Sequence, residues 1–280
     1  MILSKLIADK ATILGVASEE IKEARDLYAG RKVGNSRLFV CEGLWAADKL
    51  VEKGIPVRRV FFDNTYFPER ASEKEQKQLA GILQVCSEAY SISPKACSKI
   101  SDRDGADICF IVAEMPSYTL DDIPLSDNMI TIILDGQEQP GNVGAILRSL
   151  DGAGGTFAIM TNRRVRLTHS RLIRSSLGAA FMMPVVEVPM EELAAWLLEK
   201  GFRLVLTDLT ATKSYCDIDH KGRIAIVAGN EYLGISDYWR HLPNAEPIII
   251  PMLGSVESLN VGFASTLVAY DIGLKQKNLK

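Results

Sequence analysis

Short apolar runs and amphipathic stretches alternate along this chain from end to end. In the first part, RLFVCEG (37–43) and VRRVFFD (57–63) predict strands. Helical periodicity precedes and separates them, over 17–29 with Ser18 as cap and Gly30 as stop, and over 44–54 closed by Gly54. Segments 81–101 and 106–115 add a strand, a helix and a strand, so residues 1–115 are expected to form a small α/β/α unit. PSYTLDDIPLSDN (116–128) holds two prolines and few large apolar residues, the composition of a linker. Residues 129–280 then open with MITIILDG, a continuous β-branched run that suits a strand buried on both faces of a parallel sheet.

Strands are predicted next at 156–160, 185–188, 203–208, 223–229 and 246–252. Helices are predicted from about Val143 to Gly152, over 170–181 and 191–201, and from about Leu259 to Leu274. Such alternation predicts an α/β fold with a mainly parallel sheet and helices on both faces.

Composition narrows the chemistry. The 280 residues carry a formal net charge of -3, so polyanion binding has to rest on local clusters rather than on the total. Five cysteines without CxxC spacing and three histidines predict neither a zinc site nor a disulfide framework, and point to a reducing cytoplasm. No metal is expected. The N-terminus lacks the sustained apolar core of a signal peptide, and no run approaches the ~18 to 20 apolar residues of a membrane span.

Ligands of open α/β sheets sit beyond the carboxyl ends of the strands, and three of those ends are unusual here. LDGQEQPGNVGAILRS (134–149) offers an open glycine-rich turn, Asn142 as the start of a helix and Arg148 on its second turn. The plainer reading is a helix cap and a solvated arginine. Neither a P-loop nor GxGxxG is matched, which disfavours nucleotide hydrolysis and ordinary dinucleotide binding. IVAGNEYLGIS (226–236) ends a strand in Gly229 and follows it with Glu231 and Gly234; the plainer reading is an acid favoured by a helix dipole. PIIIPMLGSVESLNVGFAS (247–265) ends a third strand and places Ser258 and Asn260 before an apolar helix, as caps on the plainer reading.

In this order the three stretches resemble the motifs of the SPOUT superfamily of knotted methyltransferases, and within it the SpoU/TrmH-like RNA ribose methyltransferases. The matching elements are Asn142-x-Gly144-x-x-x-Arg148, Gly229-x-Glu231-x-x-Gly234, and Ile250-Pro251-Met252 followed by Ser258-Leu259-Asn260-Val261. The resemblance covers roughly residues 129–275. Residues 1–115 are similar to the ribosomal-protein L30e-like RNA-binding domain that often precedes this catalytic domain.

The resemblance implies a C-terminal trefoil knot, an exception to the rule that chains stay unknotted. It also implies S-adenosylmethionine bound in a bent shape by the knot loops, a homodimer that completes each site, and RNA as substrate, with ribosomal RNA the first choice. By matched position Thr207, Gly229, Ile250 and Leu259 would hold the cofactor. Glu231, Ser258 and Asn260 would hold one another and the target nucleotide. Ser258 and Asn260 would also cap the last helix, and Arg148 would act beside Asn142. Arg148 is either the base that takes the hydroxyl proton or a clamp on the neighbouring phosphate, since arginine is seldom deprotonated.

Two basic clusters bear on RNA. Arg31, Lys32, Arg37, Arg58 and Arg59 form one, and Arg163, Arg164, Arg166, His169, Arg171 and Arg174 the other; each is a phosphate contact or a solvated face. Other readings stay open. They are a transfer-RNA or base methyltransferase of the same fold, a catalytically silent RNA-binding relative, and a nucleotide-binding α/β protein unrelated to RNA. The Asn142/Arg148 pair favours ribose chemistry, and the retained Arg148, Glu231, Ser258 and Asn260 disfavour a silent relative.

Overall fold

A computed structural model describes residues 2–31, 33–34, 37–101 and 107–279. The described chain forms two units, one running up to Pro116 and taking in Leu167–Gly178, the other made of Ser117–Arg166 and Ala179 onward.

The first unit is built on five strands, β1 (Ala11–Ile13), β2 (Leu38–Glu42), β3 (Val57–Asp63), β4 (Glu88–Ile92) and β5 (Cys109–Glu114), in the order β1-β4-β3-β5-β2. β4 runs parallel to β1 and β3, while β5 is antiparallel to β2 and β3. The helices are α1 (Ile2–Lys10), α2 (Glu19–Tyr28), α3 (Ala47–Glu52), α4 (Tyr66–Glu69), α5 (Glu73–Val85) and α6 (Pro94–Ile100). Ile21, Ala24 and Leu27 of α2 and Ala96 and Ile100 of α6 pack with Phe61, Phe110 and Val112 of the sheet. α5 occupies ground where the apolar pattern predicts a strand, and a capping box starts it: Ser72 Oγ accepts from Glu75 N–H while Glu75 accepts from Ser72 N–H.

The second unit holds six strands, β6 (Met129–Asp135), β7 (Phe157–Thr161), β8 (Val185–Glu187), β9 (Phe202–Thr207), β10 (Arg223–Ala228) and β11 (Ala245–Ile248). Their order is β11-β9-β10-β6-β7-β8 and every pairing is parallel. Every residue of β6 is buried, which is why its sequence is a continuous apolar run rather than an alternating one. Ile133 faces a core shared with α10 (Met190–Glu199) and α11 (Asp237–Arg240), while Ile130 turns to the opposite face, against Gly273 of α12 (Val261–Gln276). α7 (Pro140–Gly152) packs on α12, where Thr266 Oγ1 donates to Ser149 Oγ at 2.7 Å. Residues 117–128 belong to this unit, with Leu120 and Ile123 buried in its core.

Three segments differ from the pattern. Residues 170–181 make two short helices, α8 (Ser170–Ser176) and α9 (Ala179–Met182), because Leu177 is left-handed at φ 46 and Gly178 has φ +100. α8 packs on β2 and so belongs to the first unit, not to the domain that begins at residue 129. α7 begins at Pro140, not at Asn142; proline suits a first helical position, whose N–H would be unpaired in any case. The ladder of β11 ends at Ile248, and Ile249 turns instead to Lys213 and Tyr215, leaving Ile250–Met252 outside the sheet.

Among the described residues no helix is long and apolar enough to cross a membrane, and no group of three or more His, Cys, Asp or Glu residues could hold a metal. Cys41, Cys86, Cys97 and Cys109 are buried, and only Cys216 is exposed. Burial pushes the Cys97 thiol up to about 12 and raises Cys41 and Cys109 well above the usual thiol range. The neutral thiol is the unreactive form. A thiol-specific disulfide reagent at neutral pH is therefore expected to titrate one cysteine in the native protein and all five after denaturation; rapid reaction of a second native thiol would contradict this packing.

Candidate active site

The strand order reverses at β6: the chain first moves outward through β7 and β8, then returns to lay β10 against the other side of β6. Loops leaving the carboxyl ends of β6 and β10 are thereby brought face to face, the usual place for a crevice in an open α/β sheet. A cavity of about 490 Å³ lies next to this meeting point, over the carboxyl ends of β9 and β10. Its wall is made by Thr207 to Leu209 after β9, Gly229 to Tyr232 after β10, and Ile250, Met252 and Ser258 to Val261 leading into α12.

The loop after β10 is a closed hairpin. Asn230 and Gly234 exchange backbone hydrogen bonds at 2.9 Å each, and Gly234 takes φ +71, open to glycine. A Cβ on Gly229 would lie 2.5 Å from the carbonyl oxygen of Gly234, so only glycine lets the hairpin fold back. Asn230 Oδ1 accepts from the N–H groups of Tyr232 and Leu233, and its Nδ2 donates to Gly136 O at 2.8 Å. The tip formed by Tyr232 and Leu233 is 80% and 84% exposed.

Glu231 leaves this hairpin for the start of α7. Its carboxylate accepts from the N–H groups of Glu138 (3.2 Å) and Gln139 (3.3 Å) and from Asn142 Nδ2 (3.0 Å). Gln139 occupies the N-cap position of α7 and its own side chain makes no capping bond; Glu231, 92 residues away, accepts from the N–H of Gln139 and from that of Glu138 before it. Asn142 spends its amide N–H on Glu231 and turns Oδ1 to Asn260 Nδ2 at 3.4 Å. Asn260 in turn uses Oδ1 to cap α12, accepting from Gly262 N–H at 2.8 Å. The donor and acceptor ends of both amides are fixed by this chain, which ties three distant loops together.

Thr207, Gly229, Ile250 and Leu259 all line the cavity, with Glu231, Ser258 and Asn260. Ser258 makes no hydrogen bond to any described residue; it lines the wall without capping α12 or joining Glu231 and Asn260. Asn142 lies in the third position of α7 and joins the network from beside the cavity. Arg148 is exposed, outside the cavity wall and without a hydrogen bond or ion pair among the described residues. Six residues along a helix turn the side chain about 120° away from that of Asn142, so one chain does not bring the two together.

Several supporting residues lay beyond the sequence reading. Gln137 is buried and donates to the carbonyls of Ala228 and Gly229, fixing the end of β10. Asp135, also buried, accepts from Trp239 Nε1 at 2.9 Å and Asn162 Nδ2 at 2.7 Å. Asp208 pairs with Arg240. Polar residues inside an apolar run's turn were the available signal for the first two.

The basic clusters are largely spent. Arg31 pairs with Asp26 at 2.9 Å, Arg58 with Glu114 at 3.1 Å, and Arg59 with Glu88 at 3.0 Å and with Glu23. Arg37 donates to Pro116 O, and Lys32 lies outside the described residues. The second cluster is divided between the units: Arg163 pairs with Glu187 in one, while in the other His169 caps α8 and Arg174 lies 4.0 Å from buried Glu42. Arg164 and Arg171 are exposed without an ion pair among the described residues.

Against known proteins, residues 129–270 match the SpoU rRNA methylase family. The chain belongs to that family. It is 30% identical over 240 residues, 83% of its length and 81% of the relative's, to the 23S rRNA (uridine(2479)-2'-O)-methyltransferase of Streptomyces viridochromogenes. It is 20% identical over 255 residues, 91% of its length and 96% of the relative's, to the 23S rRNA (guanosine(2553)-2'-O)-methyltransferase RlmP of Bacillus subtilis. Among solved structures, the SpoU methyltransferase AviRb of S. viridochromogenes in complex with AdoMet aligns with TM-score 0.81 and 26% identity, covering 94% of this chain and 100% of that one. An AdoMet-bound rRNA methyltransferase from Sinorhizobium meliloti shares the fold at TM-score 0.84 and 21% identity, covering 96% and 99%.

Two substitutions test the geometry. Glu231→Ala leaves three donors without their acceptor and is expected to cost about 1–3 kcal/mol in urea unfolding. Gly229→Ala is expected to open the hairpin, seen as faster amide hydrogen exchange at Asn230 and Gly234 than in the parent protein.

Proposed function

We propose that this protein transfers the methyl group of S-adenosylmethionine to a ribose 2′-hydroxyl of ribosomal RNA, as a homodimer acting in the cytoplasm. The observation that carries the reading is the meeting of three loops, those after β9, β10 and β11, where the cofactor candidates Thr207, Gly229, Ile250 and Leu259 share one cavity with Glu231 and Asn260. The cavity suits the group. Its volume falls in the range of roughly 300–1,000 Å³ common for small-molecule sites. Apolar Ile250 and Leu259 offer a flat ring a dry surface, and backbone groups freed at the ends of β10 and β11 can read its edge. The knot implied by the family resemblance is part of the same proposal.

Bound there, the cofactor would supply an electrophilic methyl to the ribose oxygen, with the S–C electron pair kept by sulfur and the hydroxyl proton released to solvent water. The chain's own residues position and stabilise. Holding two reactants in near-attack geometry is worth roughly 7–11 kcal/mol, and the Glu231–Asn142–Asn260 chain makes the cavity rim rigid enough to do so. A guanidinium stays protonated in proteins, so Arg148 acts as a clamp on the adjacent phosphate and on the charge that develops on the hydroxyl oxygen.

Arg148 lies outside its own chain's cavity, which fits a residue that serves the site of a second copy. The surface of α12 supports that association. Phe263, Leu267, Tyr270 and Leu274 recur at helical spacing along its outer side and are all exposed. An apolar stripe of this kind is what an interface buries.

Labelled methyl transfer from S-adenosylmethionine to ribosomal RNA from a strain lacking the protein, followed by nucleoside analysis, is expected to yield a 2′-O-methyl nucleoside; label on a base would overturn the ribose assignment. Arg148→Ala is expected to lower transfer by roughly 100-fold or more with cofactor affinity nearly unchanged. Leu267→Asp is expected to sediment as a monomer and to lose transfer with it.

A further inference from the structure

Two carboxylates, Asp208 and Glu231, stand in the cavity wall, and among the described residues no lysine, arginine or histidine lines it with them. Their compensation differs. Glu231 accepts from neutral donors only, two backbone N–H groups and the amide of Asn142. Asp208, 8% exposed just beyond β9, accepts through Oδ1 from the N–H and hydroxyl of Thr210 at 2.9 Å each and pairs through Oδ2 with the guanidinium of Arg240. Arg240 comes from α11, outside the wall, and its Nε also lies 3.5 Å from Asp237 Oδ1. The cation paired with Asp208 is therefore behind the cavity and shared between two carboxylates. Inside the cavity the balance is negative.

S-adenosylmethionine carries a sulfonium, and loss of the methyl leaves an uncharged thioether. Cofactor and product otherwise share the adenosine and amino-acid portions, so contacts to those parts favour both alike. Apart from contacts to the methyl itself, the field in the cavity separates them. A buried carboxylate is little screened by solvent ions, and its attraction for a cation acts over several ångströms.

We propose that Asp208, with its strength set by Arg240, is a selectivity residue that makes the cavity prefer the sulfonium cofactor over the thioether product. This rests on the cofactor reading given above. The carboxylate draws in the charged ligand, and once transfer has removed that charge the same wall holds the product less firmly. Arg240 moderates the effect by neutralising part of Asp208 from outside.

The test is isothermal titration of the full chain with S-adenosylmethionine and with S-adenosylhomocysteine, read as the ratio of the two affinities. Asp208→Asn is expected to lower the ratio by about fivefold and Arg240→Gln to raise it by about threefold, the scale of one partly compensated charge a few ångströms away. A merely structural role for the pair would weaken both ligands in proportion, and a ratio unchanged in both variants overturns the inference alone. Failure of the parent protein to bind either ligand overturns the cofactor reading and this inference together. If Asp208→Asn does not fold by circular dichroism, Arg240→Gln decides by the sign of its effect: a raised ratio supports the inference, and an unchanged or lowered one overturns it.

Discussion

A carboxylate held against the free N–H groups of a helix start joins the segments from which the site is made. Glu231 belongs to the loop after β10, yet the groups it satisfies are the N-terminus of α7 and Asn142. A helix start leaves its first N–H groups without partners, and Glu231 accepts from one of them, that of the N-cap residue Gln139. The deficit in one loop is met by the excess in another. Asn142 passes the constraint to Asn260, which is itself the cap of α12. Loosening Glu231 therefore loosens two helix starts and one wall of the cavity at once.

The sheet makes this meeting possible. β10 inserts beside β6, so loops separated by some ninety residues leave neighbouring strand ends. β6 and β10 are buried along nearly their whole length, and their register is consequently fixed on both faces. The cavity inherits that rigidity. Close approach of α12 to α7 adds to it, because a Cβ on Gly273 would collide with the backbone oxygen of Ala153.

Much of the second unit was legible because its signals are local. A run such as MITIILD can be buried on both faces only as a central strand, and the structure gives Met129–Asp135. The positions gathered in the cavity, Gly229, Ile250 and Leu259, were reached through the family resemblance of segments that follow predicted strands. What stayed hidden depends on pairings across the fold. Asn142 looks like a cap in its own segment; Pro140 starts the helix instead, and the acceptor arrives from Glu231. Arg58 and Arg59 look like phosphate ligands until the order β4-β3-β5 places Glu88 and Glu114 beside them. α1 and β1 carry weak periodicity and were invisible, and α5 was missed as well, although Ser72 and Glu75 mark its start with a capping box.

The hairpin after β10 separates two kinds of position within six residues. Gly229, Asn230 and Gly234 are fixed by backbone closure and by the bond to Gly136, so each change there reaches the cavity. Leu233 is held only by its own N–H group, and its side chain, 84% exposed, lies outside the cavity wall. Such a position can exchange one side chain for another while the frame beneath it stands still. It is a place where a lineage can drift toward a new surface chemistry without first losing, and then having to regain, its fold.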